Sequence, residues 1–526
     1  MSESSNPIEV KDKLRLVDLP ELSIVDILEA SVRQYDSHTA VIDGEKQVTY
    51  CELKESYEHL AGALFHEGFK KGDRLALMVP NSLEYIITFF AVHRLGGTIV
   101  QVNPMYQPQE LEHILKDSNA TWFVGYEREK SKLEKISILN QLQTIYVDAT
   151  SGNTIESLIK KEIKDLPDKN IDINNDVAIL QYTGGTTGLP KGVMLTHSNI
   201  VSNIHQLYEH VKVIYDQPNH RLLGTAPMYH AMGMTNMFLT LKIGGTYIAV
   251  ERFKSNTALE TIRKHKPTLF LGSPTMYIAL LNDKTFQKDD LKCFKLLVCG
   301  SAPMPTEVIK QVKKVTNAVF IEGYGLSEAS TSTHRNPTEG KKKTGSIGIP
   351  IPNTEVKIVD VGTGEKEMPT GESGELVVKG PQVMKGYWNR PEETANAKRD
   401  GWLYTGDIAV RDEEGYYYIV GRKKDMIIAG GFNIYPAEIE NVIYQHPSVQ
   451  EACVFGVPDA YRGETVKVAI VEKEPMTEED VKNWCTERLA KYKVPKIIEF
   501  RKELPKSTVG KILRRKLVNE ELRNEE

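Results

Sequence analysis

The stretch Tyr182-Thr-Gly-Gly-Thr-Thr-Gly-Leu-Pro-Lys-Gly192 sets small, hydroxylated and flexible residues around one cation, Lys191. A backbone of that kind can wrap a polyphosphate. Gly184, Gly185 and Gly188 permit close approach and positive φ. Thr183, Thr186 and Thr187 offer hydroxyls, and successive amides can form an anion-binding concavity. The stretch is not a Walker A loop, because Pro190 precedes the lysine and Gly192, not Ser or Thr, follows it. The expected ligand is a triphosphate held in some other way. Standing alone, the stretch would more readily read as a flexible Gly/Thr surface loop.

Four more clusters follow: Tyr324-Gly-Leu-Ser-Glu328, Tyr404-Thr-Gly-Asp407, Gly421-Arg-Lys-Lys-Asp425 and Pro505-Lys-Ser-Thr-Val-Gly-Lys511. Together and in this order, the five resemble the adenylate-forming superfamily of acyl-CoA synthetases, luciferases and peptide-synthetase adenylation domains. The resemblance runs from about Ile27 to Arg515 and is strongest to bacterial long-chain fatty-acid–CoA ligases. It implies carboxylate activation. A carboxylate is a poor acylating agent because its leaving group would be oxide. Attack on the α-phosphate of ATP replaces that leaving group with AMP, so charge neutralisation and alignment of the reacting oxygens dominate catalysis.

The resemblance also implies roles. Glu328 is the candidate ligand for Mg²⁺, a cation that prefers a few hard oxygens together with phosphates and water. Tyr324 is similar to the residue that lies on adenine, with Gly323, Gly325 and Ser327 beside it in the nucleotide set. Gly300-Ser-Ala302 resembles the loop on the other side of the base. Asp407 is a candidate ribose ligand, since a carboxylate can accept from two vicinal hydroxyls at once, and Arg422 is the matching donor. An Asp–Arg structural ion pair is the plainer reading of those two. Lys511 is the candidate catalytic lysine, a flexible point charge suited to α-phosphate and carboxylate oxygens. Thr183 joins it in the catalytic set. His230, with Tyr229 and Gly233, resembles the position beside the acyl carboxylate, although a packed core histidine is the alternative. Lys424 matches the hinge, and Gly430, Gly431 and Phe432 are expected near the pantetheine of CoA. Three departures stand out: Gly185 replaces a frequent serine, Gly421 replaces a frequent aspartate, and Ile428 stands where luciferase-like relatives carry lysine.

These loops need strands and helices to place them. Arg74–Val79, Gly97–Val102 and Val177–Tyr182 read as buried strands between helical patterns such as Glu52–Glu67. A second set, Thr268–Gly272, Lys295–Gly300 and Ala318–Glu322, ends in polar or glycine turns that converge on one edge. The alternation predicts helix-covered parallel sheets. After about residue 345 the texture shifts to short strands between Gly and Pro turns, as in a small β-barrel-like unit. Beyond Gly421 a compact α+β unit follows. The expected fold is α/β: a large N-terminal domain over 1–421, with two sheet subdomains and a barrel-like one at about 345–421, then a mobile C-terminal domain over 422–526.

Composition narrows the class. A chain of 526 residues with 40% hydrophobic and 26% charged residues can bury several ordinary cores. A net charge of −5 gives no reason to invoke nucleic acid. Five scattered cysteines without a Cys-x-x-Cys pair suggest neither a disulfide framework nor a zinc site. The polar N-terminus lacks a signal-peptide core, and the apolar run Tyr85–His93 is too short to span a bilayer. The expectation is a cytoplasmic ligase using ATP, Mg²⁺ and CoA on a fatty acid. Peripheral membrane contact and oligomerisation stay open. So do a medium-chain or coumarate-type acid, loading of an acyl-carrier protein, and a nucleotide-binding pseudoenzyme.

Overall fold

The computed structural model describes residues 15–150, 152–163, 165–183, 190–215, 219–302, 304–429, 432–459, 462–507 and 510–524. It is a mixed α/β protein with a large N-terminal and a small C-terminal domain. Its first sheet has seven strands, in the order 386–387, Lys191–Thr196, Val177–Thr183, Thr98–Gln101, Arg74–Met78, Trp122–Gly125, Gln143–Tyr146. The five from Val177–Thr183 onward run parallel. In Arg74–Met78, Thr98–Gln101 and Trp122–Gly125 nearly every residue is buried on both faces, as continuous runs in a helix-covered parallel sheet should be. The helix Leu83–Arg94, which carries the longest apolar run, is buried almost all round and is capped by the Ser82 hydroxyl. Among the described residues, no helix is long and apolar enough to cross a membrane.

The second sheet has nine strands and draws on more of the chain than the sequence indicates. Leu269–Gly272, Leu296–Cys299 and Val319–Tyr324 lie side by side and parallel, as expected. Beyond them come Arg221–Gly224 and Thr246–Ala249, and then Thr39–Asp43 pairs parallel to Thr246–Ala249, Val41 opposite Tyr247. Lys46–Thr49 then pairs antiparallel to Thr39–Asp43 at the end of this sheet, so an N-terminal hairpin that precedes every strand of the first sheet belongs to the second.

A third, antiparallel sheet joins Glu355–Val359, Ser373–Lys379, Trp402–Arg411 and Tyr417–Arg422, with Lys398–Arg399 at one side. Two features inside this region were not anticipated. Gly386–Tyr387 leaves it to pair with Lys191–Thr196 of the first sheet, and Pro391–Ala397 is helical. Arg422 is the last residue of its strand, and the next strand, Ile427–Ala429, belongs to the C-terminal sheet. That sheet also takes Val449–Asp459, Gly463–Glu472 and Ile497–Phe500. Helices Pro436–Ile443 and Glu478–Thr486 pack on it, and Val454, Val468 and Ile470 lie in its separate core. All five cysteines are free thiols.

Candidate functional site

Thr183 and Lys191 are paired residues of two antiparallel strands, the arms of a hairpin that flank the glycine- and threonine-rich stretch in sequence. Gly184, Gly185, Thr186, Thr187 and Gly188 lie outside the described residues. The arms of the hairpin are propped by the helix Pro108–Ser118. Asp117 accepts the Tyr182 hydroxyl at 2.7 Å and pairs with Arg390 at 3.0 Å, and His113 Nε2 stands 3.1 Å from the Pro190 carbonyl oxygen. The Lys191 ammonium lies 3.7 Å from Glu393 and over the Tyr387 ring at 5.5 Å.

Three parallel strands end together at the neighbouring edge. Gly272 is in register with Cys299, and Cys299 with Glu322. Gly300 donates to the Gly272 carbonyl, Ser301 turns the chain at φ 72°, and Ala302 follows it. Gly323 and Gly325 are glycines for steric reasons. A Cβ would meet Arg335 Cγ at 3.0 Å in the first case and the Thr331 carbonyl oxygen at 1.4 Å in the second. The single 3₁₀ turn Ser327–Ala329 then presents Glu328. Its carboxylate accepts the Tyr387 hydroxyl at 2.9 Å, and its carbonyl accepts the Met384 amide at 2.8 Å. Among the described residues no group of three or more His, Cys, Asp or Glu side chains could hold a metal. One carboxylate beside the Lys191–Thr196 arm fits Mg²⁺, a cation that keeps waters and substrate phosphates as its other ligands.

Asp407 is buried at the centre of a three-residue cluster. Tyr324 donates its hydroxyl to Oδ2 at 2.5 Å, and Arg422 Nε stands 2.9 Å from Oδ1. Asp407 and Arg422 are directly opposed across Trp402–Arg411 and Tyr417–Arg422, which explains the pairing. The ion pair is thus real, and the carboxylate still has lone pairs to offer two hydroxyls. Asp407 holds the Arg422 guanidinium even further above neutrality than usual.

His230 is the N-cap residue of the helix Ala231–Lys242. Burial, with Lys511 adding to it, lowers its pKa to about 4, so the ring is neutral. Its Nδ1 is buried without a hydrogen-bond partner, a costly arrangement that a ligand would relieve. The Tyr229 carbonyl accepts from Gln181 at 3.0 Å. Gly233 has a packing reason of its own: a Cβ there would stand 2.1 Å from the Pro227 carbonyl oxygen, so its glycine seats the helix start on the preceding loop.

Lys511 follows Gly510, whose φ is +76°. Ser507 closes the turn by donating its amide to the Lys511 carbonyl at 2.8 Å and accepting the Lys511 amide on Oγ at 3.1 Å. The residue is exposed, yet its pKa falls to about 8. The Arg422 cation is the largest cause, followed by withdrawal from water, while Asp407 and Asp425 oppose the shift. Lys511, Arg422, Asp407 and His230 therefore share one electrostatic neighbourhood although they come from three separate parts of the chain. Lys424 is exposed, and its pKa is lowered by partial burial and then by Lys191, Arg515 and Arg422. Gly430 and Gly431 lie outside the described residues. Phe432 pairs with Ala429 through its backbone.

Two residues escaped the sequence reading. Tyr387 lies in a two-residue strand within a Gly- and Pro-containing stretch, with no local signal of its contact with Glu328. Glu322 lies next to Tyr324's loop, accepts the Gly345 amide at 3.0 Å, and is pushed up to about 7 by burial.

Comparison with known proteins adds an independent line. The family described as AMP-binding enzyme matches residues 28–388, and the AMP-binding enzyme C-terminal domain matches residues 438–511. The long-chain-fatty-acid–CoA ligase of Bacillus subtilis (strain 168) is 43% identical, with 96% of each chain covered. Its counterpart from Escherichia coli O6:H1 is 41% identical over 95% of this chain and 94% of its own. Among solved structures, o-succinylbenzoate coenzyme A synthetase from Bacillus subtilis, in complex with ATP and magnesium ion, is 28% identical. Its TM-score is 0.81, covering 94% of this chain and 99% of that one.

Proposed function

Because this chain belongs to the AMP-binding enzyme family and is an AMP-forming acyl-CoA ligase, we propose that it couples long-chain fatty acids to CoA through the residues just described. The reaction takes fatty acid and ATP to acyl-adenylate and pyrophosphate, then acyl-adenylate and CoA to acyl-CoA and AMP. ATP, Mg²⁺ and CoA are the co-reactants. One observation supports the assignment of roles: Lys511 lies close enough to Arg422, Asp407 and His230 to couple with each electrostatically.

In this reading Asp407 accepts the ribose hydroxyls, held in place by Tyr324 and Arg422. The hairpin from Thr183 to Lys191 receives the β- and γ-phosphates. Glu328 would hold Mg²⁺, which supplies charge neutralisation at the phosphates. Lys511 balances the charge that the carboxylate and the α-phosphate bring together, and alignment of these groups is the main catalytic contribution. Neutral His230 offers its unpartnered nitrogen to the acyl carboxyl group. After adenylation the C-terminal domain rotates about Lys424, withdrawing Lys511 and bringing the 430–432 region to the acyl group for CoA attack.

Long-chain acids are the chosen class because the ligases at 41% and 43% identity carry that name. The test is a panel of acids from acetate to oleate, plus coumarate, assayed for pyrophosphate release with and without CoA. The highest kcat/KM should fall on long-chain acids, with turnover dependent on CoA. A maximum on coumarate or a short acid would overturn the substrate, and CoA-independent turnover would overturn the acceptor. We also assign the protein to the cytoplasm, whose reducing milieu suits five free cysteines. Co-sedimentation with oleate-loaded vesicles would detect contact with a membrane surface.

A further inference from the structure

The segment 384–388 holds two parts of the site at once. Its Met384 amide and Tyr387 hydroxyl grip Glu328 by the backbone carbonyl and by Oε1, at 2.8 and 2.9 Å. The same segment is hydrogen-bonded to the C-terminal arm of the phosphate hairpin. Lys385 donates to Met194 O at 3.0 Å, Trp388 donates to Gly192 O at 2.7 Å, and Tyr387 is paired with Val193. Lys191, the first residue of that arm, places its ammonium over the Tyr387 ring.

We propose that Tyr387 is a positioning residue for divalent-cation binding: its hydroxyl fixes Oε1 of Glu328, leaves Oε2 as the ligand oxygen, and ties that carboxylate to the hairpin that receives the phosphates. A glutamate side chain has several rotatable bonds to order before it can ligate, and a hydrogen bond made in advance removes part of that cost. Partners behind a metal ligand commonly govern about 10–100-fold in metal affinity. The strand pairing adds register, since any shift of the Lys191–Thr196 arm carries Tyr387, and with it Glu328, in the same direction. The inference rests on the proposed role of Glu328 as the metal ligand.

The test measures metal binding without turnover. Mn²⁺ is titrated into protein saturated with α,β-methylene-ATP, and free Mn²⁺ is followed by electron paramagnetic resonance. Tyr387→Phe, which keeps the ring and removes only the hydroxyl, should weaken Mn²⁺ binding about tenfold or more. In steady-state assays the KM for Mg²⁺ should rise while kcat at saturating Mg²⁺ stays near wild type, a split that a loss of folded protein would not produce. Glu328→Gln should weaken Mn²⁺ binding further, and Tyr387→Phe should add nothing in that background. Glu328→Asp, whose shorter side chain withdraws from the phenol, should show a similar loss and the same insensitivity to Tyr387→Phe. If Tyr387→Phe leaves Mn²⁺ affinity unchanged while Glu328→Gln lowers it, Tyr387 has no positioning role. If Glu328→Gln itself leaves Mn²⁺ affinity unchanged, the metal-ligand reading fails and the inference falls with it.

Discussion

Gly510 and Thr275 nearly touch across the junction between the two domains: a Cβ on the glycine would stand 2.0 Å from the threonine hydroxyl. The glycine also has φ +76°, where an L side chain costs about 1–2 kcal/mol. Gly510→Ala should therefore push the Lys511 turn out of its seat. Adenylate formation from acid and ATP should fall at least 100-fold, and thioester formation from a supplied acyl-adenylate should survive. Pyrophosphate release and thioester absorbance separate the two halves. Equal loss of both would mean that Gly510 serves folding and not docking.

Lys511 should set the alkaline limb of activity. Its pKa in the folded protein lies at about 8, below the ordinary lysine value of 10.5, because Arg422 and partial withdrawal from water disfavour the charged form. The ammonium is present below that pH and lost above it. kcat/KM for ATP, which reports the free enzyme, should decline above about pH 8. Arg422→Gln removes the largest cause of the shift, so the limb should move to higher pH even as the overall rate drops. A limb that stays fixed in Arg422→Gln would disconnect it from Lys511.

The ribose assignment predicts graded effects. Asp407→Ala removes a charged acceptor, with each charge-assisted bond worth about 1.5–3 kcal/mol, and AMP affinity measured by calorimetry should fall by more than tenfold. Tyr324→Phe removes only the 2.5 Å bond that orients the carboxylate, so its effect should be smaller. A larger loss from Tyr324→Phe than from Asp407→Ala would reverse their proposed ranks.

Acid should unfold the large domain through its buried histidines. His93, His210 and His230 are lowered to about 4, and His197 and His334 to about 3, with burial the leading cause in each. Between pH 6.5 and those values the unfolded chain binds protons that the folded chain refuses, so stability falls as pH falls. Each group contributes about 1.4 kcal/mol per pH unit. Five of them remove about 10 kcal/mol by pH 5, comparable with the whole stability of a domain. Circular dichroism should show cooperative loss between about pH 5 and 6, and His334→Asn should lower the midpoint. A transition below pH 4 in wild type would contradict the account.

The hinge prediction concerns Lys424→Pro. Proline fixes φ near −65° and removes the amide donor, so rotation at this position should stop. Adenylation should persist, thioester formation should fail, and a pyrophosphate burst should appear as acyl-adenylate accumulates. Thioester formation at the wild-type rate in a folded variant would place the hinge elsewhere.

What the sequence made legible was local. Tyr324, Asp407, Arg422 and Lys511 are singled out because each lies within a short motif, and the strands Leu269–Gly272 and Leu296–Cys299 were legible because apolar runs end at polar turns. Tyr387 was illegible because its partner, Glu328, is 59 residues away and nothing in Gly386-Tyr-Trp-Asn encodes the meeting. The third sheet was legible as short strands, whereas the departure of Gly386–Tyr387 to another sheet depends on edge pairing that no periodicity records. Gly233 shows the converse: a glycine read as part of an acyl site has a sufficient reason in the backbone it touches.

The pairing of Thr39–Asp43 with Thr246–Ala249 sets a schedule for the nascent chain. Translation adds about 5–20 residues per second. Val41 must therefore wait on the order of 10–40 s before Tyr247 has been synthesised. During that interval an apolar strand, Ala40-Val-Ile42, has left the ribosome without the neighbour that covers its edge. Chaperone demand should concentrate in this window. Slowing elongation between codons 50 and 247 should raise aggregation more than an equal delay placed after codon 430, where only the last sheet remains to be made.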